Sequence, residues 1–284
     1  MSTHSWPDSE ARSPKWTGRL RMELAERRGR TEIQSLVEEG ALRLSRPVYG
    51  VGPDPQLYLI HVGGGCVEGD VYELTVVCHT GSRAVLTTQS ATKVYKSPVR
   101  PVTQSLAIEL APGGCLDFRP DVIIPYEDAR YHQRTHVRMS SSARLLYSEI
   151  LTPGWSADGQ WFRYSECRSW LTVWVDDRPV LYDHQWLCPG ATFSGLGQME
   201  GYTHYGSLLV MGYELSHPTH NVLAESVQNL GVQGCVGLSP LPGPGFMVRV
   251  FGLSTDEVEQ VFHVVRGRIW REWYGAMPQR LRKY

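Results

Sequence analysis

Hydrophobic and polar residues alternate with a period of two along most of this chain. The apolar positions recur every 8 to 15 residues from Gly18 to about residue 190, with further segments at 206–213 and 246–253. Because successive side chains of a strand point to opposite faces, each segment predicts a strand with one buried face. The clearest apolar sets are Leu20, Met22 and Leu24; Leu42 and Leu44; Leu74, Val76 and Cys78; Leu106, Ile108 and Leu110; Val137 and Met139; and Leu171, Val173 and Val175.

Turn-forming residues separate these segments, at 39–40, 52–55, 112–114, 176–177 and 189–190. Many short strands with turns between them predict a mainly β protein, and the pattern continues without a shift in composition. We therefore expect a single β-rich domain over residues 16–284. Residues 1–15 are polar, contain two prolines and show no periodicity, so we expect a disordered tail there.

Two segments in the C-terminal third break the alternation. Residues 219–230, followed by Gly231, suit a short helix with glycine just beyond its end. Ser254 and Glu257 then have the spacing of a capping box. Behind them, apolar residues recur at helical spacing, and this stripe either packs on the sheet or binds a partner, packing being the commoner use. Its members are Val258, Val261, Phe262, Val265, Ile269 and Trp273.

The composition excludes several classes of protein. The chain has 28 Lys and Arg residues against 29 Asp and Glu residues, and 42% of it is hydrophobic. It therefore lacks both the signature of a disordered chain and the basic excess of a simple electrostatic nucleic-acid binder. No apolar run approaches the length of a membrane span or forms a secretory signal. The six scattered cysteines favour free thiols, so we expect a cytoplasmic protein.

Residues 63–70 form the most unusual local string, Gly-Gly-Gly-Cys-Val-Glu-Gly-Asp. This string lacks the Lys-Ser/Thr pair of a phosphate-binding loop and the glycine spacing of a dinucleotide fingerprint, so a tight turn between strands is the better interpretation. The chain also contains no HExxH, CxxC or GxSxG motif. We therefore predict no catalytic residue, no tightly bound cofactor and no firmly assigned metal site.

Polar residues interrupt the β pattern in three places. Residues 87–95 are almost uniformly polar, acidic residues surround the apolar segment within 120–127, and Glu149 lies among apolar neighbours. A carboxylate in such surroundings is usually paired, or it faces an internal polar channel or an interface. The alternative for the first string is a solvated strand face, which would include Thr87, Thr88 and Lys93.

Taken in order, five strings resemble the urease accessory protein UreD family, called UreH in some bacteria. They are residues 18–31, the glycine loop at 64–70, the polar string at 87–95, the proline-flanked segment at 120–125 and the block at 143–150. The polar string is the most specific of the five. The resemblance marks as structural motif positions Gly64, Gly65, Gly69, Thr87, Gln89, Tyr95, Pro120 and Pro125.

The chain departs from the family pattern in two regions. Trp155 and Gln160 stand where the family usually has Arg and often has Glu. Cys66 and Glu68 stand where Leu and Gly are common. We therefore transfer no roles to residues 154–160.

The resemblance implies both a fold and a function. It implies an elongated body of stacked sheets, similar to a β-helix, with about two helices in the C-terminal third, which agrees with the strand pattern. It also implies a scaffold without catalytic activity that binds the urease apoprotein and recruits UreF and the nickel-carrying GTPase UreG. Nickel would then reach the urease active site by a protected route, so transient nickel binding is expected.

A polar passage between the sheets would provide such a route. Asp70 and Glu149 would offer carboxylate oxygens, Thr88 a hydroxyl and Lys93 a charge partner, or the four would contact a protein partner. Oxygen ligands hold a divalent ion weakly enough to release it, whereas clustered Cys and His would retain it. The alternative is structural, with Asp70 capping the glycine turn and Glu149 paired with Lys93.

A rival interpretation is a β-helical carbohydrate-active or glycan-binding protein. The chain has 9 Trp and 14 Tyr residues, and aromatic rings are common platforms for sugars. This interpretation predicts an exported protein, which does not agree with the cytoplasmic location expected above.

Overall fold

The computed structural model describes residues 16–50, 54–190, 193, 195, 197–278 and 281. The predicted tail over 1–15 lies outside the described residues, and the single domain over 16–284 stays a prediction. The strands are β1 (Gly18–Arg27), β2 (Arg30–Gly40), β3 (Leu42–Leu44), β4 (Val48–Tyr49), β5 (Pro55–His61), β6 (Val71–Cys78), β7 (Arg83–Thr88), β8 (Thr92–Val94), β9 (Val102–Leu110), β10 (Cys115–Arg119), β11 (Ile123–Pro125), β12 (Arg130–Met139), β13 (Arg144–Leu151), β14 (Glu166–Val175), β15 (Arg178–Leu187), β16 (His204–Met211), β17 (Cys235–Pro240) and β18 (Gly245–Gly252). The helices are α1 (His217–Gln228) and α2 (Thr255–Tyr274).

The strands form two sheets, and between β5 and β14 the chain passes repeatedly from one sheet to the other. Sheet A has the order β15-β14-β12-β9-β6-β1-β2, and sheet B has the order β17-β18-β16-β13-β10-β7-β5-β3 with β4, β8 and β11 paired beside this path. The central neighbours in both sheets are parallel. Each change from one sheet to the other therefore completes part of a coil, and the stacked coils resemble a β-helix. The predicted mainly β, stacked-sheet fold is confirmed.

The main hydrophobic core lies between the two sheets. The apolar members of the sequence alternation point inward, as the period-two pattern predicts. They include Leu20, Met22, Leu24, Leu74, Val76, Leu106, Ile108, Val137, Leu171 and Val173. The predicted strands at 206–213 and 246–253 are β16 and β18, each placed one or two residues earlier along the chain.

Both helices pack on the outer face of sheet B and form a second core there. Leu146, Ile150, Val210 and Val248 of the sheet belong to the same cluster as the apolar stripe of α2. The packing interpretation of this stripe is therefore confirmed. Neither helix of the described residues combines the length and hydrophobicity that crossing a membrane requires.

The predicted cap at the start of α2 is confirmed, whereas both ends of α1 lie two residues earlier than predicted, with Asn229 rather than Gly231 next to its last turn. The Ser254 hydroxyl accepts a hydrogen bond from the backbone N–H of Glu257 at 3.2 Å, and α2 ends at Gly275 with φ of 65°. The other helix, α1, begins two residues earlier than predicted because Ser216 caps it and Pro218 fits its first turn.

A buried ionic cluster joins α2 to sheet B. The Asp117 carboxylate on β10 accepts hydrogen bonds from Arg266 Nε at 3.1 Å and Trp270 Nε1 at 2.8 Å, and it also pairs with Arg119. Arg266 Nη2 donates to the Ser148 hydroxyl at 2.7 Å. Burial opposes ionisation of Asp117, but the two guanidinium groups outweigh it and hold its pKa below the usual range. Burial lowers the pKa of Arg266 to about 10.

Candidate functional site

A row of polar side chains crosses the inner face of sheet A. Strand register places Tyr72 beside Gln104, Gln104 beside Gln133, Gln133 beside Ser169, and Ser169 beside Gln185. These positions replace apolar residues in a face that is otherwise hydrophobic. With strands about 4.8 Å apart, the row spans roughly 19 Å across five strands.

Sheet B presents a second polar set opposite this row. Register places Glu149 beside Ser207, and Ser207 beside Arg249. Arg249 Nη2 donates to Asp183 Oδ1 at 2.6 Å. This ion pair connects the two sheets at β15, the strand on which the polar row ends. Polar groups therefore face each other between the sheets, where the rest of the core is apolar.

Three cavities follow these polar groups and lie end to end. The first has a volume of about 190 Å³, and its lining includes the glycine loop, Thr88, Lys93 and Glu149. The second, about 30 Å³, shares its lining with the first at Ile123, Tyr131, Gln133 and Glu149. The third is an open groove of about 460 Å³ that shares Gln185, Leu187 and Tyr205 with the second. We call the three cavities together the cavity row.

Glu149 lies where the first two cavities meet. Its Oε1 accepts hydrogen bonds from the Tyr147 hydroxyl and the Gln133 amide, and its Oε2 accepts from the Ser169 hydroxyl at 3.2 Å. Burial raises the pKa of Glu149, although these three donors oppose the rise. The network continues, since the Tyr131 hydroxyl donates to the side-chain amide oxygen of Gln133 at 2.8 Å. Glu149 is therefore a desolvated carboxylate that faces a water-sized space.

Asp70 shapes the glycine loop at the side of the first cavity. Its carboxylate accepts hydrogen bonds from the Thr17 hydroxyl at 3.0 Å, the Val67 N–H at 2.7 Å and the Tyr72 hydroxyl at 2.9 Å. Asp70 is not among the residues that line the cavity. This geometry agrees with the capping role considered for it, and a direct contact with a passing ion stays a prediction.

The polar string 87–95 contributes to the cavity in different ways. Thr87 is fully buried and its hydroxyl donates to the Arg119 carbonyl oxygen at 2.5 Å, so the solvated-face interpretation is wrong for this residue. The Thr88 hydroxyl accepts from the Asp121 N–H at 2.8 Å, beside the cavity. Gln89 is exposed, and its N–H donates to the Leu59 carbonyl oxygen at 2.8 Å.

Lys93 lines the first cavity and is exposed to solvent. Within the described part of the chain, no ion pair joins Lys93 to Glu149. The pairing considered from the sequence is therefore wrong. A cation at this position instead places positive charge at the rim of the cavity.

The remaining motif positions hold the walls of the first cavity together. Tyr95 donates its hydroxyl to the Gly64 carbonyl oxygen at 2.7 Å, which ties the glycine loop to the string 87–95. At Gly69, with φ of 77°, a Cβ would meet the Arg100 guanidinium at 2.8 Å. Pro120 lines the cavity, and the Pro125 carbonyl oxygen accepts from the Trp155 N–H at 3.0 Å.

Two departures from the family pattern, Trp155 and Gln160, lie away from the cavities, whereas a third, Cys66, lines the first cavity. Trp155 is 53% exposed and its ring contacts Tyr126 at a centroid distance of 4.9 Å. Gln160 lies in a short turn, where its N–H donates to Asp158 at 3.0 Å. Neither residue lines any part of the cavity row.

Our reading of the sequence missed several residues of the site. Gln104, Gln133 and Ser169 occupy inward positions of strands whose other inward residues are mostly apolar. A polar residue at an expected apolar position of the alternation could have identified each of them. His61 was missed as well. Its Nε2 is buried without a hydrogen-bond partner among the described residues, and the side chain lines the first cavity. Burial lowers the pKa of His61, which favours the neutral imidazole.

Two thiols also lie along the cavity row. Cys66 lines the first cavity and Cys167 lines the second. Burial raises the pKa of Cys66 to about 12 and raises the pKa of Cys167 as well. Since the thiolate is the form that binds metals, a metal ion would have to displace the proton of either thiol in order to bind it. Within the described residues, no group of three or more His, Cys, Asp or Glu side chains is arranged to hold a metal ion.

The Gly65→Ala variant should distort the wall of the first cavity. Gly65 has φ of 146°, and a Cβ there would lie 2.8 Å from both the Lys93 carbonyl oxygen and the Tyr95 ring. Because a backbone atom and a packed ring cannot both move freely, we expect a loss of about 1–3 kcal/mol in the free energy of unfolding. Chemical denaturation checks this. Gly190→Ala, where a Cβ meets nothing, is the control, and equal stability of the two variants would contradict the prediction.

Comparison with known proteins identifies similar chains along almost the whole length. The family model described as UreD urease accessory protein matches residues 17–283. A Bacillus sp. protein named urease accessory protein UreD is 39% identical over 95% of this chain and 100% of its own length. Proteins with the same name from Lachnoclostridium phytofermentans and Actinomyces naeslundii are each 36% identical, over 95% and 94% of this chain and 99% of their own lengths.

Proposed function

Since this chain belongs to the UreD family of urease accessory proteins, we propose that it guides nickel to the urease apoprotein along the cavity row. In this proposal nickel is cargo and the protein has no catalytic activity of its own. The proposal includes a cytoplasmic complex in which the protein binds apo-urease and recruits UreF and the GTPase UreG. It rests on one observation, the succession of polar side chains and of cavities that share lining residues, in a protein whose core between the sheets is mostly apolar.

The physical need for a polar row follows from the cost of desolvation. Moving a divalent ion from water into an apolar core is prohibitive unless polar groups replace its hydration shell. The first cavity has room for several water molecules, so an ion can enter it while still hydrated. The second cavity has room for about one, so protein oxygens must supply much of the coordination there. Those oxygens belong to Glu149, Gln133 and Ser169.

The chemistry of the lining favours transit over storage. Carboxylate, amide and hydroxyl oxygens bind nickel more weakly than clustered imidazole and thiolate groups do. Glu149 is the one carboxylate where the two inner cavities meet, and burial raises its pKa. An arriving cation stabilises the ionised form, so its binding would release a proton from the carboxyl group when that group is protonated. Departure of the cation would reverse this exchange.

The Glu149→Gln variant tests the proposal. Glutamine keeps the shape and most of the hydrogen bonds but removes the charge, so we expect nickel incorporation into urease to slow by about 10-fold or more. The measurement is nickel per urease active site after maturation with the variant, with maturation lacking this protein as the baseline. Glu109→Gln is the matched control, because Glu109 is exposed on the outer face of sheet A.

A stability measurement separates loss of function from loss of fold. Because burial raises the pKa of Glu149, its ionised form costs stability, and the cost grows as the pH rises above the unfolded-state value of about 4.3. Glu149→Gln should therefore be more stable than the parent at pH 8, with the difference disappearing near pH 4. Normal nickel incorporation by this stable variant would defeat the proposed role. Loss of binding to apo-urease would instead support a role in assembly.

A further inference from the structure

The outer face of sheet A over β12, β14 and β15 carries an unusual set of side chains. Arg134, Arg138, Arg168, Trp170, Tyr182 and Trp186 point outward there, at register positions that share one face. We call this surface the basic–aromatic face. Both helices pack on sheet B, so no helix of the described chain covers it.

Positive charge is in excess on this face. Glu166 is the one outward carboxylate of the three strands, and it is buried and bonded to Arg168 at 2.7 Å, His132 at 3.0 Å and Arg130 at 3.5 Å. The adjacent strand β9 adds the exposed Glu109 beside Arg138, so the arginines of the face still outnumber its carboxylates. Arg134 and Arg138 are exposed, and within the described residues neither forms an ion pair with a carboxylate. The whole chain has a net charge of −1, so the excess is a local property of this face.

The aromatic side chains of the face are held in fixed positions. Trp170 stacks on His184 at a centroid distance of 4.7 Å, and Arg134 lies 5.2 Å from the Trp170 ring. The Arg168 guanidinium lies 4.4 Å from the Trp186 ring, whose N–H donates to Glu166 at 3.2 Å. Trp186 nevertheless remains 57% exposed. Ordered groups lose little entropy when they bind, and Trp, Tyr and Arg dominate the centres of protein interfaces.

We propose that the basic–aromatic face docks a protein partner through a carboxylate-rich surface. Arginine forks match carboxylates in geometry and charge, and the exposed rings supply the apolar centre that such an interface needs. Trp186 also lines the third cavity, so a partner on this face lies at one end of the cavity row. The inference rests on the proposed function, because it places a docking partner where an ion would enter or leave.

Charge reversal of the two exposed arginines tests the inference. The probes are purified urease apoprotein, UreF and UreG, each titrated separately against the full chain. With Arg134→Glu plus Arg138→Glu, we expect the Kd of one probe to rise at least about tenfold. We also expect the binding of that probe to depend less on salt concentration than it does with the parent chain. Trp186→Ala should weaken binding of the same probe. Arg27→Glu plus Arg46→Glu is the control, with the same charge change at exposed positions outside the face.

Each outcome has a defined meaning. Kd values within twofold of the parent for all three probes overturn the inference, provided that circular dichroism shows both double variants folded. Tight binding of a dT20 oligonucleotide that the Arg134/Arg138 variant abolishes also overturns it, because the face would then serve a nucleic acid. If the parent chain binds none of the three proteins, the proposed function itself fails.

Discussion

The Asp117→Ala variant should lose about 3–5 kcal/mol in the free energy of unfolding, because it removes the one carboxylate from a buried ionic cluster. Asp117 is fully buried and accepts hydrogen bonds from Arg119, Arg266 and Trp270. Without this carboxylate, the Arg266 guanidinium stays buried, and the Ser148 hydroxyl is its one remaining hydrogen-bond partner among the described residues. We expect α2 to separate from sheet B before the rest of the fold opens.

Urea denaturation followed by tryptophan fluorescence and far-UV circular dichroism measures this loss. Asp256→Ala is the control, since Asp256 is an exposed residue of the same helix and surface changes usually cost less than about 0.5 kcal/mol. Two arginines lower the pKa of Asp117, so its stabilising effect is present above pH 4 and is lost as the pH falls through the folded-state value. Asp117→Asn should therefore show a weaker acid dependence. A loss below 1 kcal/mol in Asp117→Ala would contradict this account of the cluster.

The second large effect is expected from a reversible plug in the cavity row. Ser169 lines the second cavity, whose volume of about 30 Å³ has room for roughly one water molecule. Ser169→Cys treated with methyl methanethiosulfonate would gain an S-methylthio group that fills this space. We expect nickel transfer to fall close to the level without the protein, because an ion cannot pass a filled constriction. Reduction with dithiothreitol should restore transfer in the same sample.

The modification experiment requires a parent protein in which no other thiol reacts with methyl methanethiosulfonate. Cys188 and Cys235 are exposed and are replaced by Ser in every variant. Cys66 and Cys167 also line the cavity row, so both are replaced by Ala in the same background. The treated background without Ser169→Cys controls for any remaining reaction. Thr75→Cys is the positional control, since Thr75 lies on the outer face of sheet A, on β6 and outside the basic–aromatic face.

The fold was largely predictable because two physical signals agree along the chain. Period-two alternation identified the strands, and a capping box followed by an apolar stripe identified α2 almost to the residue. The start of α1 lies two residues before the predicted one, because Ser216 caps the helix and proline is compatible with a first helical turn. The order of the strands within each sheet could not be predicted from the alternation, because it depends on contacts between strands that are distant in the sequence.

The site was only partly predictable. Asp70, Thr88, Lys93 and Glu149 were expected to share a polar passage; the last three line the first cavity, but Asp70 does not. The alternative pairing of Glu149 with Lys93 is wrong, because Tyr147, Gln133 and Ser169 satisfy that carboxylate instead. Gln133 and Ser169 come from strands that the sequence does not show to be neighbours of β13 across the core. Only the folded arrangement of the two sheets brings them together.

The most direct test of nickel transit is nickel per urease active site, measured by inductively coupled plasma mass spectrometry with the Ser169→Cys protein as the only UreD-family component. Modification of position 169 is quantified by intact mass, and binding to apo-urease is verified for the modified protein. The account predicts little nickel with the adduct in place, recovery after reduction, and no effect at Thr75→Cys. Full nickel incorporation by a protein that is completely modified at position 169 would contradict it.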